Sequence, residues 1–352
     1  MSISRRDLFK LGVAGAAMLA AGRTAFAAEP GVTDTPLPRY LNNHRVIVDT
    51  DPGNDDATAI LMALAAPNLS VEAITVAPGN LGPNYDQQVR NALFLVDLAG
   101  KSGKIAVHAG MSKPLLHRPY PVATFIHGKY GLGSFETPNV KQHVSNEHAV
   151  DAIRRIVKTY PGEVVIAALG GLTNVAMALL LEPAIATQIK GIVFVGGPGA
   201  AVPGYNALVD PEAVQIVLNS GAPIMMGLGG PGASILMQSD FDHIAAFNTP
   251  LSRFFGQSNA LRLSFETTAR NSTGSVNADP LAMAMIIDPS IATGFKSIYA
   301  EVELEGEYTR GTILYGDNRY DLRPTPPANV NLCVAASNDG FKRLLFKTLG
   351  GS

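Results

Sequence analysis

Asp49-Thr50-Asp51-Pro52-Gly53-Asn54-Asp55-Asp56 places four carboxylates within eight consecutive residues. Carboxylates this close repel one another, and the repulsion costs stability unless a cation or hydrogen bonds offset it. A strand-length apolar run precedes them and a largely apolar, helix-patterned stretch follows, so the four cannot all lie on a solvated charged face. Aspartate is favoured at a helix start, where it accepts from free backbone N–H groups. That accounts for one or two of the four. The remainder suits a hard divalent cation, because oxygen ligands on a tight, glycine-containing turn favour calcium or magnesium over zinc. A carboxylate beside such a cation can also take a proton from water, since the cation stabilises the hydroxide that forms.

The elements that must position this cluster alternate between strand and helix. Strand-like runs are expected at 45–49, 71–76, 104–107, 164–168, 191–195 and 223–227. Helical patterns are expected at 55–66, 87–99, 149–160 and 174–181, and a long loop rich in proline and aromatic residues precedes the third of these. Strands separated by helix-length segments predict an α/β fold: a doubly wound, mostly parallel open sheet with helices on both faces. Unusual residues gather at the strand ends: residues 49–56, Gly79-Asn80, residues 170–173 and Gly196-Gly197. In such a sheet the carboxyl ends of the strands form one crevice, the expected place for a ligand. No internal repeat or low-complexity tract interrupts the pattern, so one domain over residues 41–352 is expected.

The chain resembles the inosine-uridine nucleoside hydrolase family at these residues. The family's Asp-x-Asp-Pro-Gly-x-Asp-Asp-Ala signature is matched without a gap by residues 49–57. The resemblance continues in order through residues 76–80, Asn91-Ala92-Leu93, Ile126-His127-Gly128, residues 169–174, Asn206 with residues 210–213, and Ala278-Asp279-Pro280, and residues 306–311 resemble a late strand segment. It implies the nucleoside hydrolase fold and calcium-dependent hydrolysis of the N-glycosidic bond of ribonucleosides or related ribosides. It implies calcium ligands at Asp51, Asp56, the Thr173 backbone carbonyl and Asp279, with Asp51 as general base. Asp55 and Asn206 match positions that hold the ribose hydroxyls, with Asn80 assisting. A homo-oligomer, dimer or tetramer, is also expected. A haloacid dehalogenase-type phosphatase likewise places two aspartates after its first strand. That family wants threonine or valine where Gly53 stands.

Two departures bear on function. Many family members carry a histidine before the late aspartate, where it helps protonate the leaving base; here the position is Ala278. Candidate substitutes are His127, Tyr130 and the trio Arg262, Glu266 and Arg270, whose spacing puts all three on one helix face. The default expectation for that trio is an exposed salt-bridge stripe. The family's glutamate two residues before Asn206 is replaced by Gly204, and residues 198–203 are small and apolar around it. The 5′ side of the ribose site is therefore expected to lack side-chain hydrogen-bonding groups. Retention of Asp51 favours catalysis, and loss of the histidine favours the alternative of a non-catalytic or weakly catalytic riboside-binding protein.

Composition narrows the remaining choices. Lys and Arg total 27 against 29 Asp and Glu. The resulting net charge of −2 leaves no basic footprint for nucleic acid. The lone Cys333 excludes an internal disulfide and any thiolate metal cage. Residues 1–27 read as a twin-arginine (Tat) signal peptide: Arg5-Arg6, an uncharged run of 12 residues from Leu11 to Gly22, and an Ala25-Phe26-Ala27 cleavage site. The run is short of the roughly 20 residues a membrane-spanning helix needs. Export through the Tat translocase to the periplasm or beyond is expected, followed by a loose, proline-bearing leader over residues 28–40.

Overall fold

Period-two alternation of apolar side chains builds a sheet with two covered faces. The computed structural model describes residues 45–116, 119–196, 203–227, 229–230, 232–316 and 326–350. Its strands are β1 (Arg45–Thr50), β2 (Ser70–Val76), β3 (Val107–Ala109), β4 (Val164–Ala168), β5 (Gly191–Phe194), β6 (Ile224–Met226), β7 (Ile235–Leu236), β8 (Ser275–Val276), β9 (Ala292–Ile298), β10 (Ala300–Val302), β11 (Ile313–Tyr315) and β12 (Val330–Ala336). Eight of them form one sheet in the order β3-β2-β1-β4-β5-β6-β12-β9. All neighbours are parallel except β9, which pairs antiparallel with β12 at one edge. The doubly wound, mostly parallel expectation holds.

Along β1, Val46 and Val48 enter one apolar cluster while Ile47 enters the other; in β4, Val165 and Ala167 oppose Val164, Ile166 and Ala168. Helices Asn54–Ala65, Tyr85–Leu98, Pro250–Thr268, Ala278–Ile287 and Asn338–Gly350 cover the first face, and Ala149–Thr159, Thr173–Leu181 and Pro211–Leu218 cover the second. The chain winds outward from β1 through β2 to β3, then restarts at β4 and winds the other way through β5 and β6. The gap between the carboxyl ends of β1 and β4 is thus the switch point where such sheets bind ligands.

Two local expectations change. β3 begins at Val107, because Lys104 and Ile105 are wound into a turn by bonds from their N–H groups to the Lys101 carbonyl. Residues 306–311 form the turn of the β10–β11 hairpin, closed by the Gly311 N–H on the Glu303 carbonyl, and are not a strand. The signal, the leader and residues 197–202 of the apolar loop lie outside the described residues.

Candidate active site

Two buried helices aim their first turns at one point. Asn54–Ala65 follows β1 after the Pro52-Gly53 turn, and its first eleven residues are all buried. Ala278–Ile287 is buried almost throughout and packs against it. Asp55 and Asp56 stand in the first turn of one helix and Asp279 in the first turn of the other. Both helix dipoles favour negative charge there. One oxygen from each of Asp55, Asp56 and Asp279 lies within 4.8 Å of the others.

Asp56 is held at both oxygens. Its Oδ1 accepts from the Thr50 hydroxyl at 2.5 Å and its Oδ2 from the Gly53 N–H at 3.0 Å and the Asn80 amide at 3.1 Å. The Gly53 contact is the helix-start role expected of part of the cluster. Asp51, at the end of β1, accepts from the Asn80 N–H at 2.8 Å through Oδ2, and the Asn80 amide also donates to the Asp51 carbonyl at 3.0 Å. Asp51 Oδ1 and Asp55 Oδ1 are both buried with no hydrogen-bond partner. The backbone comes close around Asp51. A Cβ at Gly79 would stand 1.7 Å from its Oδ2, and one at Gly170 would stand 2.7 Å from its Oδ1. Only residues without a side chain leave that carboxylate where it is.

Burial pushes these carboxyls up. Asp51 is raised well above the usual range by burial and then by the Asp56 charge, and Asp279 by burial and then by Asp55 and Asp56. Asp56 is raised to about 6 by burial and by Asp55. Asp49 is raised to about 7 by burial, against hydrogen bonds from Thr75 and Asn174. Orphaned buried oxygens and an all-oxygen donor set are what a hard divalent cation would satisfy, so the residues present fit one. In the fold these aspartates bind more protons than in the unfolded chain. The stability tied to them is therefore complete at low pH and is lost as pH rises through about 6 for Asp56 and about 7 for Asp49. The melting temperature of chelator-treated protein should accordingly fall between about pH 5 and about pH 8, and added calcium should restore more at the higher pH. A flat or rising profile without metal would contradict this electrostatic picture.

The other expected residues fall at varying distances from the cluster. The Asn206 amide donates to the carbonyls of Leu169 and Val195, the latter at 2.9 Å, which fixes it at the ends of β4 and β5. Thr173 opens the helix after β4, and its hydroxyl donates to Asp210 at 2.7 Å. His127 Nδ1 lies 3.7 Å from Asp55 Oδ1 and 2.9 Å from Asn54 Oδ1. Burial lowers its pKa to about 4, with Arg262 adding to that and Asp55 opposing it, so the ring is neutral at pH 7. Tyr130 has its ring beside the Lys129 ammonium, 5.1 Å from the ring centre, and among the described residues its carbonyl joins the network, accepting from the Asn91 amide.

The exposed-stripe expectation is overturned for Arg262 and Glu266 and holds for Arg270, which is exposed and pairs with Glu266 at 3.6 Å. The helix ends at Thr268, before Arg270, and Arg262 and Glu266 are 7% and 1% exposed. Arg262 pairs with Asp55 Oδ2 at 2.8 Å and donates to Asn54 Oδ1 at 3.1 Å. Burial alone would lower its pKa, but Asp55, Glu266 and Asp279 outweigh it. Helical spacing tells which residues share a face, not what that face meets.

Sequence reasoning also passed over Asn54, which joins His127, Arg262, the Ile126 carbonyl and the Ser258 carbonyl. Its place inside the aspartate run was the available signal. Tyr205, beside Asn206, was missed as well: its hydroxyl is buried without a partner, and burial with the Asp51 charge raises its pKa.

Residues 46–343 match the profile of the inosine-uridine preferring nucleoside hydrolases, and the chain belongs to that family. It is an enzyme, a hydrolase. It is 32% identical over 303 residues to an inosine-uridine preferring nucleoside hydrolase of Crithidia fasciculata, covering 84% of this chain and 93% of the relative. It is 33% identical over 311 residues to a pyrimidine-specific ribonucleoside hydrolase of Salmonella arizonae, covering 86% and 97%. A purine-preferring ribonucleoside hydrolase from Gardnerella vaginalis superposes with a TM-score of 0.78 at 31% identity, covering 87% and 98%. The three relatives are named for different base preferences at nearly equal identity to this chain.

Proposed function

We propose that the chain hydrolyses the N-glycosidic bond of ribonucleosides or closely related ribosides, releasing free base and ribose, with calcium at the aspartate cluster. The observation that carries this is the buried, unpartnered oxygen on each of Asp51 and Asp55, with Asp55 grouped within 4.8 Å of Asp56 and Asp279 and the Asp51 carboxyl raised by burial and the neighbouring Asp56 charge. Asp51, Asp56, the Thr173 carbonyl and Asp279 would hold the cation. When bound, it supplies positive charge that offsets the carboxylates and favours loss of a proton by water.

Asp51 takes the proton of the attacking water as the water oxygen bonds to C1′ and the C1′–N bond breaks. Positive charge then develops on the sugar, as in other glycoside cleavages. Asp55 accepts from one ribose hydroxyl through its unpartnered Oδ1. Asn206 spends its N–H groups on Leu169 and Val195. That leaves its carbonyl oxygen to accept from the other hydroxyl. Asn80 keeps Asp51 and Asp56 apart and aligned. Incubating calcium-loaded protein with a panel of purine and pyrimidine ribonucleosides and reading free ribose tests the assignment and reports the base preferred. Ribose release from none of them would contradict it.

The proposal extends to export by the twin-arginine route and action in the periplasm, supported by Arg5-Arg6, the short apolar run and the Ala25-Phe26-Ala27 site. Replacing Arg5 and Arg6 by lysine should retain the precursor in the cytoplasm. Efficient appearance of the Lys-Lys protein outside would remove that assignment.

A further inference from the structure

The leaving base needs help that Ala278 cannot give, and His127 is tied through Nδ1 to Asn54. Arg262 reaches the same place from another element. Its Nε donates to the Val276 carbonyl at 3.0 Å, two residues before Ala278 and three before Asp279. Its Nη1 is held by Asp55 Oδ2 and Asn54 Oδ1. Glu266, one helical turn on, accepts from the Val276 N–H and so clamps the same backbone. The guanidinium is therefore fixed between Asp55 and the turn that carries Ala278 and Asp279. Its Nη2 makes no hydrogen bond among the described residues.

We propose that Arg262 is the leaving-group contact, its open Nη2 edge receiving the ring-nitrogen or carbonyl acceptors of the departing nucleobase. This rests on the glycosidic hydrolysis described above. A guanidinium keeps its protons at neutral pH, so it acts by charge and by donated N–H bonds rather than by protonation. As the C1′–N bond breaks, its electron pair moves onto the base. The water oxygen bonds to C1′ and one water proton goes to Asp51. The base, held as an anion against Arg262, collects its proton from solvent on release. A fixed donor aimed at developing negative charge is typically worth about 100- to 1,000-fold in rate.

The test compares inosine with 4-nitrophenyl β-D-ribofuranoside, whose phenolate departs as a stable anion without assistance. R262M should lower kcat/KM for inosine by about 100- to 1,000-fold and for the nitrophenyl riboside by less than about tenfold. R262K should fall between wild type and R262M, with the same preferential loss on inosine, since lysine keeps the charge but not the planar fork. Both substrates are measured on one preparation, so any inactive fraction cancels in the ratio, and R262K decides the matter if R262M does not fold. Equal losses on both substrates, or an unchanged inosine rate, would overturn the proposal. Wild-type protein that cleaves neither substrate would instead overturn the hydrolysis reading on which it rests.

Discussion

Asp51→Asn should lower turnover by about 100- to 10,000-fold while leaving the fold intact, the range expected when a general base is removed. The amide keeps an oxygen for the Asn80 N–H that now meets Asp51 Oδ2 at 2.8 Å. It cannot accept a proton from water. The carboxylate is also expected to touch calcium, so calcium content must be measured beside the rate. A variant that retains calcium and loses turnover isolates the proton-transfer role. Near-normal turnover would remove Asp51 from the mechanism, and the orphaned Oδ1 would then need another explanation.

Asp279→Asn should separate the two costs that meet in the cluster. Without metal, Asp279 is a buried carboxyl raised by burial, Asp55 and Asp56, so neutralising it relieves repulsion. Metal-free D279N should therefore melt higher than metal-free wild type at about pH 8. With calcium the order should reverse: a lost anionic ligand should lower affinity by at least about 100-fold and remove most of the calcium-induced rise in melting temperature. Melting curves with and without calcium read both signs at once. An undiminished calcium shift in D279N would take Asp279 out of the metal site.

The central strands were legible because burial on both faces leaves near-continuous apolar runs, as in β4, whose bounds at residues 164–168 match the expectation. β3 slipped because Ile105 and Ala106 read as strand residues although bonds to the Lys101 carbonyl hold Lys104 and Ile105 in a turn. The carboxylates were legible because helix-start capping, which Asp56 does perform on the Gly53 N–H, excuses only one or two of the four. What brings Asp279 to them is helix-on-helix packing of two segments more than two hundred residues apart. Local pattern does not contain that, and only the resemblance supplied it. Arg262 was misjudged for the same reason. A charged residue in a helix is ordinarily solvated, and nothing in its own segment announces that Asp55, Asn54 and the Val276 carbonyl stand ready to receive it.

The most direct test of the account measures base and ribose together. Calcium-loaded protein is incubated with inosine or the best-cleaved nucleoside in phosphate-free buffer, with nucleoside binding followed in parallel. The expected result is release of hypoxanthine, or the corresponding base, and reducing sugar in equal amounts, abolished by chelation and restored by calcium. Binding without release, or release only when phosphate is supplied, would contradict hydrolysis at this site.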